Sequence, residues 1–335
     1  MRRLLLFCLL LTIACTNPRL AQVEEVQLVT TDLDNFWAAY PAAMRDTAQA
    51  YRVFEQQYFA KGSPAYCITT SVGSRKTRCS LPAASRNGRR NTARPTYANT
   101  AVKEALAQKP GVLVKMLPGN VGYIQLPGIN AGGSLQAMRD AAKVVQDSLC
   151  RINPDKAKAW IVDLRLNDGG AMAPMLAGIA QLLGDGHLGG FVDKDGKPDQ
   201  QWYLRQGNFY MDTMRVTTLQ NRCPARRTDK PIAVLLSGRT ASSGEIVAIS
   251  LKGRPNTRFF GEPTYGATTA NESYRISGTS YLTIAGLQDA DRNQVAYKSH
   301  LTPDVLITGG DNFTDLNKDT KVAAALKWLK KPKGR

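Results

Sequence analysis

The stretch from Pro231 to Thr269, PIAVLLSGRTASSGEIVAISLKGRPNTRFFGEPTYGATT, constrains the fold more than any other part of the chain. Ile232 to Leu236 is a short apolar, β-rich run of the kind that forms a buried strand. Ser237-Gly238-Arg239-Thr240 is turn chemistry. Ala241-Ser242-Ser243-Gly244-Glu245 then leads into IVAISL, which suits a helix lying on a sheet. A strand, a sharp turn, small hydroxyl residues and a helix are how an α/β protein presents a nucleophile. The helix start adds unpaired N–H groups and a field that favours a developing anion. A plainer reading of the same residues is an N-cap with Glu245 in the first turn.

Three other segments decide between these readings. They are Val121-Gly122-Tyr123-Ile124-Gln125-Leu126-Pro127, Ile161-Val162-Asp163-Leu164-Arg165-Leu166-Asn167-Asp168-Gly169-Gly170, and Leu301-Thr302-Pro303-Asp304-Val305. With T-A-S-S-G-E and the later R-F-F-G-E-P-T-Y-G, they resemble the protease core of the tail-specific, or C-terminal-processing, serine peptidases. Tricorn-core and interphotoreceptor-retinoid-binding-protein relatives share that core. The resemblance runs over residues 111–312 and implies a ClpP/crotonase-like β-α-β sandwich. The alternation of apolar strands and helices agrees with an α/β class.

The resemblance also implies roles. Ser242, three residues before Glu245, would be the nucleophile, with Ser243 the competitor on sequence alone. Gly169 or Gly170 and the N–H of Ser243 would form the oxyanion hole, supported by Glu245 and Gly266. Glycine at a strand end lets backbone amides approach a substrate carbonyl. The base departs from the family. The C-terminal-processing branch carries a lysine in a T-F-G-K-like turn, and here Thr264-Tyr265-Gly266-Ala267 ends in alanine. The tricorn-like branch uses an upstream histidine, and no histidine precedes His187. That branch also has a carboxylate where this chain reads Ala296-Tyr297-Lys298-Ser299-His300. His300 is therefore the first candidate base, with His187 and Lys298 behind it. Two functions follow: a serine peptidase acting on peptides or unfolded protein, or a peptide-binding or scaffold module that has lost turnover.

Residues 1–21 read as a secretory signal, MRRLLLFCLLLTIAC and a short continuation, with Cys15 placed where a lipoprotein cysteine would stand. Cleavage near Ala14 or Ala21 is the rival expectation. The chain is thus expected to be exported, periplasmic or membrane-anchored. Export permits disulfides, and Cys67, Cys79, Cys150 and Cys223 allow two. Cys67 with Cys79 and Cys150 with Cys223 is the expected pairing. No C-x-x-C motif exists and His187 and His300 are the only histidines, so no metal site and no cofactor are expected.

The net charge is +17, and between Glu55 and Glu104 the chain has no acidic residue. The basic run from Arg75 to Arg94 could face an anionic envelope surface or stay a solvated loop. Export argues against nucleic acid as a partner. Residues 26–62 carry an aromatic stripe at helical spacing, and 63–110 read as a β-hairpin or irregular basic segment with a short helix near Thr100 to Ala107. That segment is too short for a PDZ domain and has no Gly-Leu-Gly-Phe-like loop. In the core, strands are expected at Val121 to Leu126 and Ala159 to Leu164. Helices are expected at Ser134 to Leu149, with Leu135, Met138, Ala142, Val145 and Leu149 inward, and at Met172 to Leu183. Phe191-Val192 should open a strand that turns at Asp195-Gly196, His187 should sit on a surface turn, and Trp202 to Leu219 should form a hairpin. Residues 313–335 should be a C-terminal helix and basic tail.

Overall fold

The computed structural model describes residues 66–70, 76–80 and 100–330, apart from 133, 194, 221–222, 224–227 and 278–279; for 66–70, 76–80 and 271–286 only the backbone is described. The signal segment with Cys15, the helical segment 26–62 and the basic run Arg75 to Arg94, its strand backbone aside, lie outside the described residues.

The chain runs β1 (Tyr66–Thr70), β2 (Lys76–Ser80), α1 (Thr100–Ala107), β3 (Leu113–Leu117), β4 (Val121–Gln125), α2 (Leu135–Cys150) and β5 (Ala159–Asp163). It continues with α3 (Met172–Gly178), α4 (Ala180–Leu183), β6 (Gly186–Val192), β7 (Pro198–Arg205), β8 (Asn208–Met211) and β9 (Met214–Arg215). Then come β10 (Ile232–Leu236), α5 (Ser243–Leu251), β11 (Thr257–Gly261), β12 (Thr269–Ser277), β13 (Ser280–Asp291), β14 (Ala296–Tyr297), β15 (Val305–Leu306) and α6 (Thr320–Leu329).

Two compact units divide the described residues. One holds β1, β2 and residues 270–287. There β1 pairs antiparallel with β2, Cys67 facing Cys79 in register, and with β13 on its other edge. The other unit holds 100–269 and 288–330 and contains the site. Its central sheet has the order β15-β11-β10-β5-β4-β3. All its pairs are parallel except the β3–β4 hairpin. Every residue of β4, β5 and β10 is buried, as expected for parallel strands covered on both faces. Tyr123, Ile161, Ala233, Leu235 and Phe260 face Leu316, Val322 and Ala325 of the C-terminal segment. Their alternates Ile124, Val162 and Val234 point the other way and are equally buried. A second, antiparallel sheet in this unit joins β6 to β7, β7 to β8, and β8 to β9, with residues 288–291 on β6.

Ser134 caps α2 by accepting the Ala137 amide at 3.1 Å. Met138, Ala142, Val145 and Leu149 are buried as the 3.6-residue period requires. Leu135 is 50% exposed, against expectation: it is the first residue of the helix, where the apolar stripe overruns its packing partner. The next helix is two, broken at Ile179, whose φ of −102° and ψ of 19° leave the helical range. A side chain on Gly178 would meet Val145 at 2.5 Å, so α3 and α2 touch backbone to side chain there. Phe191-Val192 ends β6 rather than opening a strand. His187 stands in β6, not in a turn, with Nε2 2.8 Å from Gln201 Oε1 and its ring 5.2 Å from Tyr203. The alternation that placed these residues on strands continues N-terminally through glycines that carry no periodic signal.

An ionic network crosses the core, its side chains buried except for Glu262 at its edge. Arg165 bonds Asp163 through Nε and Nη2, and Asp311 and Asp319 through Nη1 at 2.6 Å each. Tyr123 donates to Asp163 at 2.7 Å, and Lys321 bonds Asp311 and Glu262. Removing one member of such a set strands the others. Arg165→Ala should therefore lower the unfolding free energy by about 3–5 kcal/mol, read by urea denaturation. A loss under about 1 kcal/mol would mean that the aspartates find other partners. Cys150 and Cys223 form a disulfide with 5.6 Å between Cα atoms. Alkylation without reductant should leave both unlabelled, and two labelled thiols would disprove the bond.

Candidate active site

β10 ends at Leu236 and α5 begins at Ser243, so the chain must reverse within a few residues. Ser242 is the N-cap, with φ 50° and ψ −124°. A non-glycine residue held there stores strain of roughly 1–3 kcal/mol, which persists only where the surroundings over-determine it. Here they do. The Ser242 amide donates to Glu245 Oε2 at 3.0 Å, and the Ala241 amide donates to the Asn167 carbonyl at 3.0 Å. The Ser242 carbonyl accepts from Glu245 at 2.7 Å and Ile246 at 3.1 Å.

The two serines separate cleanly. Ser243 is fully buried and its hydroxyl donates to the Gly170 carbonyl at 2.7 Å. Ser242 is half-buried and lies directly against Gly169. A Cβ on Gly169 would stand 3.0 Å from Ser242 Cβ and 3.5 Å from its Oγ, and φ is +108° there, so only glycine fits. The amides of the loop divide as well. Gly169 N–H donates to Asn167 Oδ1 at 3.1 Å, and Ala171 N–H donates to Ile129 O at 2.7 Å. The amides of Gly170 and Ser243 have no acceptor among the described residues. Of the glycine pair, Gly170 therefore has the free donor.

Glu245 is fully buried and organises the back of the site. Its Oε2 takes the amides of Ser242 and Ala267, at 3.0 and 2.7 Å. Its Oε1 takes the Gly266 amide at 2.8 Å and the Thr264 hydroxyl. Residues 242 and 267 thus share one carboxylate oxygen and are near neighbours. Burial pushes the Glu245 carboxyl up, and its four hydrogen bonds pull it part of the way back. Asp289, 1% exposed, lies close behind. Its amide donates to Thr268 O at 3.0 Å, and its carboxylate has no hydrogen-bond partner among the described residues. Burial, then the charge of Glu245, push it well above the usual carboxylate range.

His300 reaches the same loop: a Cβ on Gly266 would meet the His300 amide nitrogen at 3.2 Å. It is half-buried, whereas Lys298 is exposed. His187 is held in the β6–β7 hairpin by its own partners. Sequence reasoning missed Asn167, which ties the glycine loop to the serine turn, and missed Thr264 and Asp289. An Asn two residues before a Gly-Gly pair is a local signal for such a side-chain turn; Asp289 has none. Among the described residues no group of three or more His, Cys, Asp or Glu is placed to hold a metal ion, and no helix is long and apolar enough to cross a membrane.

A family model described as peptidase family S41 matches residues 120–307. The nisin-resistance protein of Lactococcus lactis subsp. lactis is 33% identical over 192 residues, 56% of this chain and 57% of that one. The carboxy-terminal processing protease CtpA of Bacillus subtilis is 29% identical over 196 residues, 58% of this chain and 36% of the relative. The chain thus spans about a third to just over half of the length of these curated relatives. Among solved structures, a lipoprotein from Streptococcus agalactiae superposes with a TM-score of 0.52 at 23% identity, over 68% of this chain and 72% of that one. A putative peptidase from Parabacteroides merdae gives 0.51 at 14% identity, over 90% and 88%.

All four groups at the Glu245 carboxylate are donors, so an amide cannot replace it. Either orientation of Glu245→Gln sets an NH₂ against a backbone N–H, and should cost about 1–3 kcal/mol in urea unfolding. Stability equal to wild type would refute this organising role. Asp289 fixes the sign of a pH effect. It holds its proton more tightly folded than unfolded, so its contribution is present below the ordinary carboxylate range and lost as pH rises through its raised folded value. Asp289→Asn should flatten the loss of stability as pH rises from the ordinary carboxylate range, and an unchanged profile would exclude the effect.

Proposed function

The chain belongs to peptidase family S41, and on that footing we propose that it is an exported serine peptidase that cleaves peptide bonds with Ser242 as nucleophile. The observation that carries this reading is the half-buried Ser242 at a strained helix start, against Gly169, with the neighbouring Gly170 and Ser243 amides lacking an acceptor among the described residues. Oγ attacks the substrate carbonyl carbon, and the carbonyl π electrons move to oxygen. The Gly170 and Ser243 amides hydrogen-bond that oxyanion, each donor being worth roughly 3 kcal/mol in comparable sites. The serine proton passes to a base and then to the leaving amine, and water hydrolyses the acyl-enzyme. His300, against Gly266, is the base this reading favours. Residue 267 stands where the family lysine would, and Ala267 carries no amine. The N-terminal segment and the Cys150–Cys223 disulfide support export, to the periplasm or as a lipoprotein through Cys15. The substrates are peptides or unfolded proteins. The domain limits stated above, with the core at 111–312, belong to the same proposal.

Ala267 also favours a second reading, a peptide-binding module without turnover. One series of variants decides between them. A positioned base is worth roughly 10²- to 10⁴-fold, so the wild-type rate should be slow yet above water. Ser242→Ala should abolish it and Ser243→Ala should leave most of it. His300→Ala should cause a large loss. Ala267→Lys should raise the rate, since residue 267 shares a carboxylate oxygen with the Ser242 amide. Equal rates for wild type and Ser242→Ala on a panel of unfolded peptides, with binding intact, would leave the binding module.

A further inference from the structure

Asp168 stands immediately before the glycine pair and is exposed. Its carboxylate lies against Gly128. A Cβ on Gly128 would lie 2.5 Å from Asp168 Oδ1 and 2.7 Å from the Gly169 carbonyl oxygen, so residue 128 is glycine because the acid and its loop fill that space. The Ile129 amide on Gly169 O at 3.1 Å and the Ile129–Gly170 bridge fix the two loops against each other. No described residue forms an ion pair or hydrogen bond with the Asp168 carboxylate, although the chain carries 44 lysines and arginines. Residues 127–132, 166–171, 238–244 and 263–268 carry two charged residues, Asp168 and Arg239, besides the buried Glu245 under the turn and the segment with Lys298 and His300 near Gly266. Arg239 is half-buried in the turn behind Ser242, its amide on Ser237 Oγ at 3.1 Å. The acid beside the glycine loop is thus exposed and has no partner among the described residues.

We infer that Asp168 is a specificity-determining residue that pairs with a lysine or arginine side chain of the bound peptide, close to the scissile bond. This rests on the peptidase reading of the Ser242 site. The attacked carbonyl lies at the Gly170 and Ser243 amides, and Asp168 is two residues from Gly170. An extended peptide advances about 3.3 Å per residue, so the side chain meeting Asp168 belongs within about two residues of that carbonyl. A lysine or arginine can lay its aliphatic stem over Gly128 and Ile129 and place its charge on the acid. A glutamate at the same place would meet like charge without compensation, so discrimination comes from attraction and repulsion together.

The test uses peptide pairs identical except for Lys or Glu at each position near the cleaved bond. The readouts are kcat/KM for the active protein and Kd for its Ser242→Ala form. Wild type should favour the lysine peptide by about fivefold at low salt, and by less as salt screens the pair. Asp168→Asn should bring the ratio towards one, and Asp168→Lys should invert it. A ratio unchanged by both substitutions overturns the inference. If no peptide is cleaved but the Kd ratio of Ser242→Ala falls on adding Asp168→Asn, the specificity role stands and the peptidase reading fails. Equal Kd for Lys and Glu peptides with Asp168 intact overturns the role of Asp168, whatever the cleavage result.

Discussion

The site depends on one carboxylate that never faces a substrate. Glu245 lies fully buried beneath the serine turn, and burying a charge is costly unless it is paired or fully hydrogen-bonded. Four donors from two segments satisfy it. In return it holds the Ser242 amide, and with it a backbone conformation that serine would not otherwise keep. Through Thr264, which donates to Glu245 and accepts from the Leu301 amide at 2.8 Å, it also tethers the segment carrying His300. Ser242, residue 267 and the segment with His300 therefore share one anchor. That anchor is a structural requirement, independent of whether proton transfer works. It accounts for a site whose frame is intact while its base departs from the family pattern.

The glycine loop beside Ser242 is built on another principle, close backbone approach. Gly169 and Gly170 both have positive φ, and a side chain on either would collide with Ser242 or with Ile129. Asn167 completes the joint: its side chain holds the Gly169 amide and its carbonyl holds the Ala241 amide. The two loops are thus locked by main-chain and amide contacts rather than by packing of large groups. Little of this geometry would relax if the chemistry were lost.

What could be read from the chain alone was local. The strand at 232–236, the small-residue turn and the helix at 243–251 followed from composition and turn chemistry. Ser134 and the stripe behind it marked α2. The failures were non-local. Leu135 fits the stripe but has nothing to pack on, and the break at Ile179 has no sequence signal of its own. His187 lies in a strand rich in glycine, where alternation gives no warning. The roles of Asn167 and Asp289 exist only once distant segments meet. Gly169 loses its free amide to a side chain two residues away, which leaves Gly170 as the one of the pair without an acceptor among the described residues. The expectations for residues 1–62 and for the Arg75–Arg94 run fall outside the described residues.

The Arg165 network bears on how the chain acquires its site. Asp163 and Arg165 stand just upstream of the glycine loop, whereas Asp311, Asp319 and Lys321 belong to the last described stretch of chain. The guanidinium before the loop therefore has Asp163 at once but lacks its other two carboxylates until residues 311–319 are available. This network is complete only when the segment carrying Asp311, Asp319 and Lys321 has docked. A chain without α6 therefore lacks part of the buried frame behind the Ser242 turn, because the Arg165 that bonds Asp319 also offers its carbonyl to Ser237.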